Sequence, residues 1–241
     1  MHPSSQSSID SFVDALWLED GLSPNTLAAY RRDLTLYAQW LDAQGLALND
    51  STETLLNSYF AAQHATTRAT SANRRLSVFK RYFHWALREG SIHADPTLKL
   101  QSAKQALRVP KTLSQAQVEA LLHAPDVDTP LGLRDRTMLE LMYASGLRVT
   151  ELVTLKTFQL GLNEGVLRVM GKGNKERLVP FGEEARSWLQ RYLQEARGAI
   201  LGGQQTEDLF VTQRGEGMTR VMFWVIVKKW AQVAGITVPL S

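Results

Sequence analysis

Apolar residues recur at helical spacing along most of the chain. Ile9, Phe12, Val13, Leu16 and Trp17 predict a helix over residues 8–19. Ser23-Pro24-Asn25-Thr26 is a start signal, with Ser23 as N-cap and Pro24 at the first helical position. Leu27, Tyr30, Leu34, Tyr37 and Leu41 then line one face of a second helix, with Arg31 and Arg32 on its flank and Gly45 past its end. Leu55, Leu56, Tyr59 and Phe60 predict a third helix, and Leu76, Phe79, Phe83 and Leu87 the apolar face of a fourth. Asp95-Pro96 closes this run, and residues 97–111 show no clean period. The pattern divides the chain into a helical domain over 1–98, a basic linker over 99–111 and a second domain over 112–241.

The second domain opens with Ser114 and Gln117 spaced as a capping box for a helix through Leu122. Leu131, Met138, Leu141 and Met142 predict an amphipathic helix, with Arg134, Asp135 and Arg136 between the apolar positions. Gly146 falls where that helix should stop, since glycine accepts the left-handed conformation without a Cβ penalty. Leu147, Leu152 and Leu155 start a further helix at once. The period then changes. Val166 and Val169, then Leu178 and Val179, sit in short runs on either side of Gly171-Lys172-Gly173-Asn174-Lys175, the pattern of a β-hairpin with a glycine-rich turn. Residues 182–197 are helical again around Ala185, Trp188, Leu189 and Tyr192. Residues 208–211 suggest a short strand, and Thr219 caps a last helix holding Phe223, Val227, Trp230 and Ala234. The fold class expected is mainly α, with a small β-hairpin in the second domain.

Charge alters this picture in one place. The net charge of the 241 residues is only +3, yet ten lysines and arginines between His64 and Lys111 face only Glu89 and Asp95. Within that stretch Arg74, Arg81 and Arg88 are spaced by sevens, so they form one stripe opposite the apolar face of the fourth helix. Such a stripe suits a nucleic-acid backbone; a solvated basic surface gives the same pattern. Trp85 lies near the stripe and fits either an interface or partial burial. Cysteine is absent, which excludes disulfides and thiolate metal sites, and the five histidines have no metal-ligand spacing. No apolar run approaches the ~20 residues a membrane span needs. The polar N-terminus lacks the features of a secretory signal, so a cytoplasmic location is expected.

Candidate chemistry gathers at Ala144-Ser145-Gly146-Leu147-Arg148-Val149-Thr150-Glu151-Leu152. The turn pins Arg148 at a helix start, where a planar, permanently charged guanidinium suits bidentate grip on a phosphate. Glu151 shares its helical face and can fix its rotamer. A helix-turn-helix corner with a surface ion pair would look the same. Lys172, on the predicted hairpin tip, can reach a leaving oxygen and give it a proton; a polar surface loop is the alternative. Gly-Lys-Gly-Asn-Lys lacks the upstream glycine and following Ser/Thr of a P-loop.

Taken in order, Ala144–Leu152 and Gly171–Pro180 resemble the tyrosine recombinase (phage integrase) family. Leu16–Glu19, Asn25–Leu34 and Leu113–Val118 narrow the resemblance to its bacterial chromosome-dimer branch. The resemblance implies a two-domain DNA clamp: an N-terminal helical core-binding (SAM-like) domain and a catalytic domain. It matches Arg148 to the first catalytic arginine, Lys172 to the hairpin lysine and Glu151 to an acidic residue supporting the arginine. It implies no metal or nucleotide cofactor. A tyrosine attacks the scissile phosphate, giving a 3′-phosphotyrosine and a free 5′-hydroxyl that later attacks the partner strand. The implied partners are a double-stranded recombination site, a second recombinase of the family in a heterotetramer, and a septal DNA translocase, in the setting of cell division. Thr26, Tyr30, Arg31, Arg74, Arg81 and Arg88 are expected to contact DNA, with Arg220 as a further phosphate contact. The family's His-x-x-Arg motif and nucleophilic tyrosine are absent, and none of Tyr30, Tyr37, Tyr59, Tyr82, Tyr143 and Tyr192 matches the nucleophile. A truncated catalytic domain that binds DNA without cleaving it is therefore expected. A non-catalytic binder of the same fold and a mobile-element integrase are the alternatives.

Overall fold

The computed structural model describes residues 1–104, 112–171 and 175–240. Contacts divide the chain into two compact units, Met1–Arg108 and Val109–Ser241.

The first unit holds four helices: α1 (Pro3–Asp20), α2 (Pro24–Asp42), α3 (Glu53–Gln63) and α4 (Ala69–Arg88). Helix α1 begins earlier than its apolar period suggests, because Pro3 supplies the first turn and the His2 side chain accepts the Ser4 amide. The Ser23 and Thr52 side chains cap α2 and α3. The core is aromatic. Tyr37 lies 4.9 Å from both Tyr59 and Phe79, and Phe12 meets Tyr82 edge-on at 5.3 Å. The buried Tyr82 hydroxyl donates to Asn49 Oδ1 at 2.6 Å and shares a 2.6 Å bond with Ser8. Trp85 belongs to this core, half-buried and 5.4 Å from Phe12. The unit runs past the expected boundary at residue 98: Leu100 is buried in the core, and the Asn73 side chain exchanges two hydrogen bonds with the Ala103 backbone. The rest of the predicted linker, 105–111, lies outside the described residues.

The second unit is built around α6 (Pro130–Ser145), against which α5 (Gln115–His123), α7 (Val149–Val153), α8 (Glu183–Arg191) and α9 (Arg197–Leu201) pack. The capping box of α5 forms as its spacing predicts, with Ser114 and Gln117 reaching each other's backbone amides. Helix α6 departs from expectation. Its middle, residues 132–141, is buried all round, and Arg134, Asp135 and Arg136 are interior rather than solvent-facing. Each charge has a partner, near or distant in sequence. Asp135 Oδ1 accepts from Arg134 Nε (3.0 Å) and Nη2 (2.7 Å), its Oδ2 accepts from Trp230 Nε1 (2.9 Å), and Arg136 pairs with Glu140.

Strands β1 (Leu160–Gly161), β2 (Val166–Met170) and β3 (Glu176–Pro180) form an antiparallel sheet in that order, so the predicted hairpin gains a short third strand. The helix expected over 182–197 instead continues through a π turn at Tyr192–Ala196 into α9. Residues 208–211 do not join the sheet. They make isolated bridges, Asp208 to Lys156 and Val211 to Gly217, which anchor Leu209, Phe210 and Val211 in the core. Helix α10 (Arg220–Val233), capped by Thr219, packs on α5 and α7.

Candidate nucleic-acid interface and catalytic corner

Helix α6 ends at Gly146, whose φ of 62° is the left-handed C′ conformation, and its amide bonds back to Met142 O at 3.0 Å. The chain re-enters helix two residues later, which makes Arg148 the N-cap residue of α7. Glu151, at the third position of α7, reaches back and accepts the Arg148 amide through Oε2 at 2.8 Å. Its Oε1 accepts Arg148 Nη1 at 3.0 Å. The two partners are placed very differently: the Glu151 side chain is 8 % exposed and that of Arg148 70 % exposed. A buried carboxylate thus fixes the base of an arginine whose head stands in solvent.

A residue the sequence pattern did not single out completes the corner. Arg177, on β3, forms a fork with Glu151, Nη1 to Oε1 and Nη2 to Oε2, both at 2.9 Å. The Arg177 fork is the main influence holding the Glu151 carboxyl down at about 2, below its ordinary 4.5, and the bonds from Arg148 add to it. The missed signal is the two-residue period of the strand. Arg177 pairs with Val169 and Val179 with Leu167, both buried, so Arg177 shares the inward side while Leu178 is 62 % exposed. A charged residue on an inward-facing register position demands a counter-ion, and Glu151 is that partner.

Arg148 borders two surface concavities. One, of about 490 Å³, is lined by Gly146, Arg148, Gly171, Lys175, Glu176 and Arg177. The other, of about 550 Å³, lies between Arg148, Val149 and Thr150 on one side and Arg220, Val221 and Trp224 on the other. Arg220 therefore shares a cleft with Arg148. Lys172 lies outside the described residues.

In the first unit every arginine of the predicted stripe meets a carboxylate. Arg74 pairs with the buried Asp33 at 2.7 Å, Arg81 with Asp20 at 2.6 Å, and Arg88 with Glu19 at 2.8 and 3.0 Å and with Glu89 at 3.0 Å. Arg31 pairs with Asp10. Tyr30 lies under the Arg81 guanidinium, 6.0 Å from its ring centre, and Thr26 shares a 2.9 Å hydroxyl bond with Ser23. Asp10, Glu19 and Asp20 on α1 are the counter-ions that charge counting alone overlooked. Among the described residues there is no cluster of three metal-ligating side chains and no helix long and apolar enough to cross a membrane.

A helical unit with an arginine-bearing face, followed by a unit whose preorganised arginine borders a cleft that also holds Lys175 and Arg177, gives a protein the features that suit a phosphate backbone. Comparison with known proteins says which kind. The phage integrase family matches residues 111–241, and its N-terminal SAM-like domain matches residues 9–90. The tyrosine recombinase XerD of Ralstonia nicotianae is 63% identical over 99% of this chain and 78% of its own length. XerD of Pseudomonas aeruginosa is 51% identical, covering 97% of this chain and 78% of its own. The chain belongs to the phage integrase family of tyrosine recombinases, site-specific recombinases that break and rejoin DNA. The fold agrees. A lambda integrase dimer bound to a COC′ core site superposes with a TM-score of 0.70 at 20% identity, covering 96% of this chain and 78% of that one. XerH bound to its difH substrate in a pre-cleavage complex gives 0.70 at 18% identity, over 98% and 70%.

Proposed function

We propose that the chain serves XerD-type recombination, the reaction that resolves chromosome dimers in the cytoplasm of dividing cells, by binding and positioning the DNA. Its two units would clamp a double-stranded recombination site, beside a XerC-like partner in a heterotetramer activated by a septal DNA translocase. Arg148 neutralises the non-bridging oxygens of the scissile phosphate and stabilises the extra charge of the five-coordinate transition state. Lys172, in the connection between β2 and β3, protonates the departing 5′-oxygen. Glu151 orients Arg148. Arg220 and the stripe Arg74, Arg81 and Arg88, with Thr26, Tyr30 and Arg31, hold the flanking backbone.

The observation that carries this reading is Arg148 itself, an exposed guanidinium on a buried carboxylate between two open clefts. Such an arginine loses little freedom when it meets a phosphate. The strand-breaking step requires a tyrosine hydroxyl to attack phosphorus as the 5′-oxygen leaves. Tyr37, Tyr82 and Tyr192 are buried in cores, their hydroxyls pushed up to about 12 by desolvation, which disfavours them as nucleophiles. None of the six tyrosines, the exposed Tyr143 included, matches the family's nucleophile position, so these 241 residues are expected to bind DNA without cleaving it. Incubation with a nicked recombination-site duplex is expected to give a retarded complex and no covalent adduct. A covalent protein–DNA adduct overturns the second half of this reading, and failure to retard the duplex overturns the first.

A further inference from the structure

The Glu151 carboxylate is saturated. Oε1 accepts from Arg148 Nη1 and Arg177 Nη1, and Oε2 accepts from the Arg148 amide and Arg177 Nη2. A carboxylate offers about four lone-pair sites. With the Arg177 fork in place, Glu151 has no acceptor left with which to draw Arg148 into a second bond. We propose that Arg177 is a positioning residue that keeps Arg148 available to a phosphate, by occupying Glu151 so that this carboxylate orients Arg148 without capturing it. The inference rests on the reading of Arg148 as a phosphate-binding group.

The physical argument is one of competition. Without Arg177, Arg148 is the ion-pair partner left to the buried carboxylate among the described residues, and a bidentate pair is the strongest arrangement open to the two. The arginine head would fold back from the cleft, and a phosphate would have to displace it. Gly171 supports the arrangement. A Cβ there would come within 2.9 Å of Arg177 Nη1 and 3.3 Å of Lys175 O, so a side chain at this position would push on the fork. Arg177 also lines the cleft and is 39 % exposed, so direct contact with DNA is the competing role.

Salt titration of duplex binding separates the two roles. The 241-residue chain and its variants are titrated on a recombination-site duplex, with R148A as reference. R148A is expected to lower the salt slope by about 0.9, the value of one phosphate contact. R177M is expected to lower it by a similar amount and to weaken binding about tenfold, the scale of one charge-assisted bond. The decisive variant is E151Q/R177M. Once Glu151 carries no charge it cannot capture Arg148, so slope and affinity are expected to return to about those of E151Q. R177K, which neutralises Glu151 without forming a fork, is expected to fall between wild type and R177M. If R177M does not fold, R177K and E151Q/R177K are compared by the same criterion. Binding by E151Q/R177M as weak as by R177M, or wild-type binding by R177M, overturns the inference while leaving the phosphate reading intact. An unchanged slope in R148A overturns that reading and the inference together.

Discussion

The outer part of the first unit's arginine stripe and the Arg148 corner of the second unit both set arginines against carboxylates, but with different burial; Arg74, on the buried Asp33, follows the pattern of the corner. On α4, Arg81 and Arg88 and their partners Asp20 and Glu19 are all at least a third exposed. At the corner the carboxylate is buried and the arginine is not. Exposed pairs contribute about 0–1 kcal/mol and are readily exchanged for another anion. A buried carboxylate cannot leave, so it acts as an anchor that fixes the direction of the arginine. The first arrangement suits a surface that trades internal counter-ions for phosphates along a duplex. The second suits a single, geometrically defined contact.

The largest effect should come from the extreme of this series, where both partners are buried. Asp135→Asn leaves the Arg134 guanidinium uncompensated in the core of the second unit, and a loss of about 3–5 kcal/mol is expected. Urea unfolding checks it; a change under 1 kcal/mol would show that burial does not set the value of these pairs. Next comes Glu151→Ala, expected to cost about 1–3 kcal/mol, because two guanidinium groups and the Arg148 amide lose their acceptor.

The same carboxylate gives a pH dependence of definite sign. Its carboxyl is held at about 2 when folded against 4.5 ordinarily. Its contribution is therefore fully present above pH ~4.5 and is lost as pH falls towards 2. Thermal melts of wild type and E151Q across that window should converge as pH falls; parallel curves would remove Glu151 from the account. Gly146→Ala is expected to cost about 1 kcal/mol, since open space surrounds the position and only its φ of 62° penalises a side chain. The smallest stability effect belongs to the exposed pairs. Glu19→Gln and Arg88→Ala should each change stability by under about 1 kcal/mol. Arg81→Ala and Arg88→Ala should nevertheless each reduce the salt slope for duplex binding by about 0.9. If they leave it unchanged, the stripe is not a phosphate contact and the contrast between the two regions loses its functional meaning.

Much of this was legible in order along the chain. The apolar period placed α2, α4, α5, α6, α10 and the β2–β3 hairpin, and Ser23, Ser114, Gly146 and Thr219 marked ends of α2, α5, α6 and α10, because capping and helical period act over a few residues. The motif around Arg148 was legible for the same reason: glycine, arginine and glutamate act within one turn. Residues 134–136 misled, since a charged triplet reads as a solvent face until its partners are known. Asp135 is satisfied by Trp230 and Arg134 by Val211 O, both far along the chain. Arg177 and Leu178 were not separable from the sequence pattern. Hydropathy by itself does not tell which of the two faces inward; strand register turns Leu178 outward and Arg177 towards its counter-ion on α7.

Local pattern thus settled which segments are helical or extended, where they stop, and that Arg148 stands at a helix start beside Glu151. Tertiary packing alone decided which carboxylates face the arginine stripe, which charges are interior, and that Arg177 completes the corner. The reason is range. Capping and amphipathic period are satisfied within a few residues, whereas the energy of a charge depends on burial and on partners that only the folded chain brings within reach.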